Sequence, residues 1–285
     1  MKIIDTVPFF LNNYTPSISF LRGYYEKYPA IFTEYFPRHC KDTEERHNQS
    51  LEKYPDNLLK IKQVHENITP IIQEVVHEYE RLYEVSFPVE VNLIVGGFGS
   101  NAYTYQQIIP NITFALEKLS PDPNHLRVIV AHEFGHAAQN ILTDRAGMDW
   151  TTAQWTHPFN WLYREGIATC LSERIIPHLK KSVYFTYDDE GEEWLYFAQR
   201  HVKEIKKAFI EDYRKMSGNE LSRDWFSING VNAFGYSRFG YFLGELFVQE
   251  EMEKHGELET IIAWENPHYL ERVENWLLQV EGELV

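Results

Sequence analysis

The chain has 285 residues, 44% of them hydrophobic and 15% aromatic, which supports a packed core and argues against a disordered chain. Lys and Arg number 27 against 42 Asp and Glu, a formal charge of −15, so nucleic acid and anionic membrane surfaces are not expected as partners. Cys40 and Cys170 stand far apart in no CxxC spacing, and the opening MKIIDTVPFFLNNY makes a poor secretory signal, so no disulfide framework and a soluble, cytoplasmic protein are expected.

Residues 1–85 read mostly helical, with an aromatic opening, SFLRGYYEKYPAIFTEYF, and a clearer helical period in TPIIQEVVHEYERLYEV. Three short runs follow, VEVNLIV, NAYTYQ and ITFALE, rich in β-branched and aromatic residues, and they predict strands of a small sheet. The GGFGS between the first two lacks the Lys and the strand-to-helix setting of a phosphate cradle and is expected to be a mobile turn. From Asp122 onward the pattern is helical again, near 124–142, 160–176, 192–215, 236–250, 257–264 and 268–280. The expected class is α+β, mainly helical, with a small sheet before the helix at 124–142. The expected organisation is a helical region over 1–85 and a second region over 86–285.

That helix carries His-Glu-x-x-His at His132, Glu133 and His136. Positions four apart on an α-helix differ by about 400°, so the two imidazoles stand roughly 40° apart on one face, the spacing one metal ion needs. Glu133 lies about 100° round from His132, beside the metal position but not on it, where a carboxylate can deprotonate water. Leu126, Val130, Phe134, Ala137 and Ile141 fall on the opposite side, so the helix is expected to bury its back and turn its front to a cleft. The glycine and third histidine that metzincins carry at the third and sixth positions after His136 are absent, because Gln139 and Leu142 occupy those places.

The stretch VIVAHEFGHAAQ followed by WLYREGIATCLSE resembles the zinc core of gluzincin peptidases, in which HExxH is followed by W-L-x-E-G-x-A as in the aminopeptidase-N-like enzymes. The Asn-Ala-x-Thr strand, here Asn101, Ala102, Tyr103 and Thr104, makes the chain similar to small bacterial predicted Zn-dependent proteases. The resemblance runs over roughly residues 90–250. It implies a zincin-like fold, one zinc ion held by His132, His136 and Glu165, Glu133 as general base, and hydrolysis of a peptide or protein substrate. It further implies that a strand before the active-site helix, one of the runs at 102–107 and 112–117, receives the substrate by strand addition; NAYTYQ is preferred, so Asn101, Ala102, Tyr103 and Thr104 become substrate-binding candidates.

Two departures limit the likeness. Tyr163 and Arg164 both intervene between the W-L pair and Glu165, one residue more than the pattern has, and the Gly-x-Met-Glu-Asn of aminopeptidases is absent. Enzymes of this kind place a Tyr near the zinc to stabilise the oxyanion, and FGYSRFGYFLGELFVQE offers Tyr236 and Tyr241. Taking Phe239 as zero, Tyr241 points about 200° away with Ser237, Gly244 and Val248, a face of small residues that another element or a substrate could approach. Tyr241 is therefore preferred over Tyr236. His157, in the connection leading to Glu165, is a further residue that could approach the cleft. Two other classes remain open: a metal-holding binding or regulatory module without turnover, and a hydrolase of a non-peptide amide or ester.

Overall fold

The computed structural model describes residues 1–266 and 268–279. Two compact units divide between Glu133 and Phe134, inside one continuous helix.

The first unit opens on β1 (Lys2–Asp5), two isoleucines between charged ends, and enters α1 (Val7–Asn13) through a proline in its first turn. Next come α2 (Ile18–Lys27), whose Ser17 hydroxyl accepts from the Phe20 N–H, and α3 (Pro29–His39). Then runs α4 (Glu44–Tyr83), 40 residues and roughly 60 Å long. Thr43 caps it by accepting from the Arg46 N–H, and Glu44 and Glu45 sit in its first turn, where the helix dipole favours them. Its buried stripe, Tyr54, Ile61, Val64, Ile68, Ile72, Val75 and Tyr79, repeats at mostly three- and four-residue steps, so one face packs on the core.

β2 (Glu90–Ile94), β3 (Ala102–Thr104) and β4 (Ile112–Ala115) complete a sheet in the order β1-β2-β4-β3. β1 and β4 lie parallel to β2, and β3 runs antiparallel to β4. The central strands are buried on both faces, and the two polar residues this brings inside pair with each other, Asn92 donating to the Thr113 hydroxyl at 3.2 Å. All three expected strands form, although ITFALE ends its strand at Ala115 and turns into a 3-10 stretch over Leu116–Lys118. β1 was not expected: its partner lies almost ninety residues away, and no local pattern records that pairing.

The GGFGS loop is not the mobile turn expected. The N–H groups of Gly96 and Phe98 donate to the Glu117 carboxylate at 2.9 and 3.1 Å, and those of Gly97 and Gly99 to the Tyr35 hydroxyl at 2.9 and 3.2 Å. Tyr54 closes the ring by donating to the Gly96 carbonyl at 2.5 Å. Glycine is required here because a Cβ at Gly96 would stand 2.4 Å from the Tyr35 hydroxyl oxygen. Alternate amides of the loop thus turn to a carboxylate and to a phenol, and the protein satisfies them with its own side chains.

α5 (Pro123–Ala146) runs from the first unit into the second. The second unit continues with α6 (Pro158–Ile175), α7 (Val183–Thr186), α8 (Glu192–Arg200), α9 (Val202–Lys215), α10 (Gly218–Phe226), α11 (Phe239–His255), α12 (Glu257–Ile261) and α13 (Tyr269–Leu278). The helix expected over 192–215 is two helices meeting at His201, and the one expected from 236 begins at Phe239 because Arg238 adopts a left-handed backbone. α7 and α10 are additional. The stretch expected over 257–264 is α12 followed by a 3-10 turn, and the end of the helix expected over 268–280, Val280, lies outside the described residues. The architecture is α+β, mainly helical, with a small mixed sheet.

α6 and α11 make the closest helix crossing of this unit. A Cβ on Gly166 would stand 2.1 Å from the Gly244 carbonyl oxygen, and one on Gly244 would stand 2.1 Å from the Leu162 carbonyl oxygen. The small-residue face of α11 that carries Gly244 and Val248 is therefore taken by α6. Lys181 ties the same two helices from outside, reaching Glu173 at 2.5 Å and Glu245 at 2.6 Å.

Candidate metal centre

His132 and His136 follow one another by a turn on α5 and are buried to 1% and 5% exposure, with Glu133 between them at 7%. Leu126, Val130, Phe134, Ala137 and Ile141 are buried as expected, but so is every residue from Val128 to Ile141. The open front expected of this helix is not found over that stretch, where the histidine side is buried as well. Side chains on either side of the cluster anchor the helix. The Tyr79 hydroxyl donates to the Ala131 carbonyl at 2.7 Å, one residue before His132, and the Gln139 amide donates to the Ile261 carbonyl at 3.3 Å, three residues after His136.

α6 brings Glu165 to the histidines. Pro158 pre-sets its first turn, and the His157 ring accepts from the Phe159 N–H at 3.2 Å as the N-cap. His157 also meets the Tyr213 hydroxyl at 3.4 Å, so it serves the start of the helix. The connection from α5 is pinned by the Asn160 amide on the Gln154 carbonyl and by the Trp161 indole on the Trp155 carbonyl, both at 2.9 Å. Further indoles fix the neighbouring segments: Trp150 donates to Asp144 at 2.8 Å and Trp264 to Thr143 at 2.7 Å. Trp150 stacks on Trp155, and the Arg164 guanidinium lies 5.3 Å from the Trp155 ring centre and 5.6 Å from that of Trp264.

The outcome is a three-residue cluster. One donor atom from each of His132, His136 and Glu165 lies within 4.8 Å of the others, and His136 Nε2 stands 3.5 Å from Glu165 Oε2. Metal–ligand bonds of about 2.0–2.2 Å at a tetrahedral angle set donor atoms roughly 3.3–3.6 Å apart, so this separation suits a shared ion. The group could therefore hold a metal ion. Two imidazoles and a carboxylate form a donor set that leaves a fourth position for a small molecule. The Glu165 side chain, 21% exposed, is the most open of the three.

The other sequence candidates fall as follows. Tyr241 occupies the first turn of α11, partly exposed, with the Arg238 guanidinium 5.4 Å from its ring centre. Tyr236 precedes the helix and packs its ring on Phe197 at 4.9 Å and on Phe239 at 5.6 Å. Ala102, Tyr103 and Thr104 form β3, the last strand in the sheet order, and Asn101 accepts the Ala102 N–H on its own side chain at 2.9 Å. The Tyr103 ring is stacked on His39 and buried, so the strand could offer a ligand its backbone but not that ring.

Two residues around the cluster went unread in the sequence. Gln139 enters the sequence reading only as a place without the metzincin glycine, and Tyr163 only as a departure from the family pattern, yet each sits within a turn of a ligand. Compared with known proteins, the chain matches no family model, no curated protein and no solved structure.

Proposed function

We propose that this chain is a zinc-dependent hydrolase of peptide bonds, of the gluzincin type. The observation that carries the reading is the convergence of His132, His136 and Glu165 donors within 4.8 Å, with a non-ligand carboxylate, Glu133, on the same buried helix. Two histidines with a carboxylate is the donor set of catalytic zinc sites rather than of closed structural ones. A zinc ion held there supplies Lewis acidity and makes water nucleophilic at neutral pH.

The chain's own residues do the rest. Glu133 takes a proton from the attacking water as its oxygen bonds to the scissile carbonyl carbon, and delivers that proton to the amine nitrogen as the carbon–nitrogen bond breaks. Tyr241 donates a hydrogen bond to the developing oxyanion, with Tyr236 as the alternative phenol. β3, over Asn101, Ala102, Tyr103 and Thr104, pairs its outer backbone edge with the substrate. The short length of this end strand suits that use, since a long exposed edge would pair indiscriminately.

The test is a peptide-library digest by zinc-loaded protein beside Glu133→Gln. The variant is expected to keep stoichiometric zinc and to lose about 10²–10⁴-fold in kcat. Tyr241→Phe is expected to lose about 10²–10³-fold with zinc retained. Elemental analysis showing no zinc in protein supplied with the ion would end the metal reading; zinc without cleavage of any peptide would favour a binding module.

A further inference from the structure

Glu165 and His136 lie on different helices, so a metal ion needs those helices held in one register. The α6–α11 crossing at Gly166 fixes how closely α6 approaches α11. A further tie joins α6 and α5 through the end of α12. α12 ends at Ile261, where the Ile262 N–H closes the helix on the Leu258 carbonyl at 3.2 Å and the last carbonyls are open to donors from other elements. The Tyr163 hydroxyl, two residues before Glu165, reaches the Thr260 carbonyl at 2.5 Å and the Ile261 carbonyl at 2.9 Å. The Gln139 amide, one turn after His136, donates to the same Ile261 carbonyl at 3.3 Å.

Both side chains are buried at 0–1% exposure, so neither bond can be exchanged for one to water without moving a helix. One backbone oxygen thus receives a donor from each of the two ligand-bearing helices, within a turn of their ligands. We infer that Tyr163 is a positioning residue of the metal centre, setting the Glu165 carboxylate against His136 through the Ile261 carbonyl. The inference rests on the metal-binding reading and deepens it: the residue that departs from the gluzincin spacing is the one that keys the third ligand. Tyr163 touches neither metal nor substrate in this account. Its effect passes through Glu165.

A neighbour supplies the control. Tyr269, also buried, packs its ring 5.2 Å from that of Tyr163, but its hydroxyl has no hydrogen-bond partner among the described residues. Zinc affinity is to be measured by competition with a chromophoric chelator in wild type, Tyr163→Phe, Tyr269→Phe, Glu165→Ala and the Tyr163→Phe/Glu165→Ala double variant. Tyr163→Phe is expected to weaken zinc binding about 10–100-fold, the size found for partners that orient ligands, while Tyr269→Phe leaves it unchanged.

In the Glu165→Ala background Tyr163→Phe is expected to have no further effect, because the group it positions is gone. A wild-type affinity in Tyr163→Phe overturns the inference, as does an equal loss in the Glu165→Ala background, which would mark a general effect on the fold. Should Tyr163→Phe not fold, Gln139→Met removes the other donor to the same carbonyl and carries the same expectation; unchanged affinity there overturns the inference as well. Wild-type protein that binds no zinc defeats the metal reading and the inference together, whereas wild-type binding with an indifferent Tyr163→Phe defeats the inference alone.

Discussion

Glu117 in the first unit and Glu165 in the second are both carboxylates drawn largely out of water, and they differ in what faces them. Around Glu117 the neighbours are amides that can only donate, Gly96 and Phe98, and burial pushes its carboxyl up while those N–H groups pull it back. Beside Glu165 stand imidazoles, which can donate, accept or ligate. A carboxylate ringed by fixed donors is complete in the folded chain and has nothing left to offer an ion. One set among ring nitrogens at about 3.5 Å gains a purpose when a cation joins it. A buried acid and a half-buried one thus mark a clamp in one region and a candidate centre in the other.

The sharpest way to break this contrast is to delete each carboxylate and read both properties. Glu165→Ala is expected to lower zinc affinity by more than the about 10–100-fold that a merely orienting partner carries, with the melting temperature of the metal-free protein little changed. A competition titration that finds wild-type affinity would remove Glu165 from the ligand set. Glu117→Ala is expected to do the reverse. Two buried N–H groups lose their acceptor at about 1–3 kcal/mol each, so chemical denaturation should find roughly 2–6 kcal/mol of stability gone. Stability within about 0.5 kcal/mol of wild type would mean that the loop does not need its carboxylate.

Acid should sharpen the contrast further in the first unit. His39, stacked on Tyr103 beside β3, is held by burial, and secondarily by Arg38, at a pKa of about 4 against an ordinary 6.5. Its folded pKa is depressed, so the folded state favours the neutral ring. The associated stability is fully present above pH 6.5 and is lost as pH falls through about 4. Over that window the loss comes to roughly 3 kcal/mol. The stability of wild type relative to His39→Phe should therefore fall on acidification, and a difference independent of pH would refute the assignment. The smallest effect is expected at the helix crossing: Gly166→Ala forces α6 and α11 apart and should cost about 1–3 kcal/mol, read as an earlier urea midpoint, together with weaker zinc binding.

Much of the candidate centre was legible because it is local. His132, Glu133 and His136 share one helical turn, and helical geometry alone places their side chains; the two apolar strands β2 and β4 were equally plain from their β-branched runs. The elements that escaped are those fixed by distant partners. β1 is four residues whose strand pairing is with distant β2, and the break at His201 between α8 and α9 carries neither proline nor glycine to announce it. α10 did carry a signal. Ser217 and Glu220 form a reciprocal capping box at its start, and Ser-x-x-Glu before an apolar residue can be read from a sequence. The GGFGS loop misled because three glycines suggest freedom, whereas its conformation is set by Glu117, Tyr35 and Tyr54, remote in sequence.

The indoles beside the candidate centre give it an optical voice. Trp150 and Trp155 stack with ring centres 5.5 Å apart and planes only 11° from parallel, and Trp264 meets both edge-on, at 5.3 and 5.5 Å. At such separations the electronic transitions of neighbouring indoles couple, so the trio should give a strong near-ultraviolet circular dichroism signal set by its geometry. Arg164, whose guanidinium borders two of these rings, is joined by a single peptide bond to Glu165. A shift of that glutamate on loading would pass directly to the chromophores, and the chain would report occupancy of its own centre without any added label.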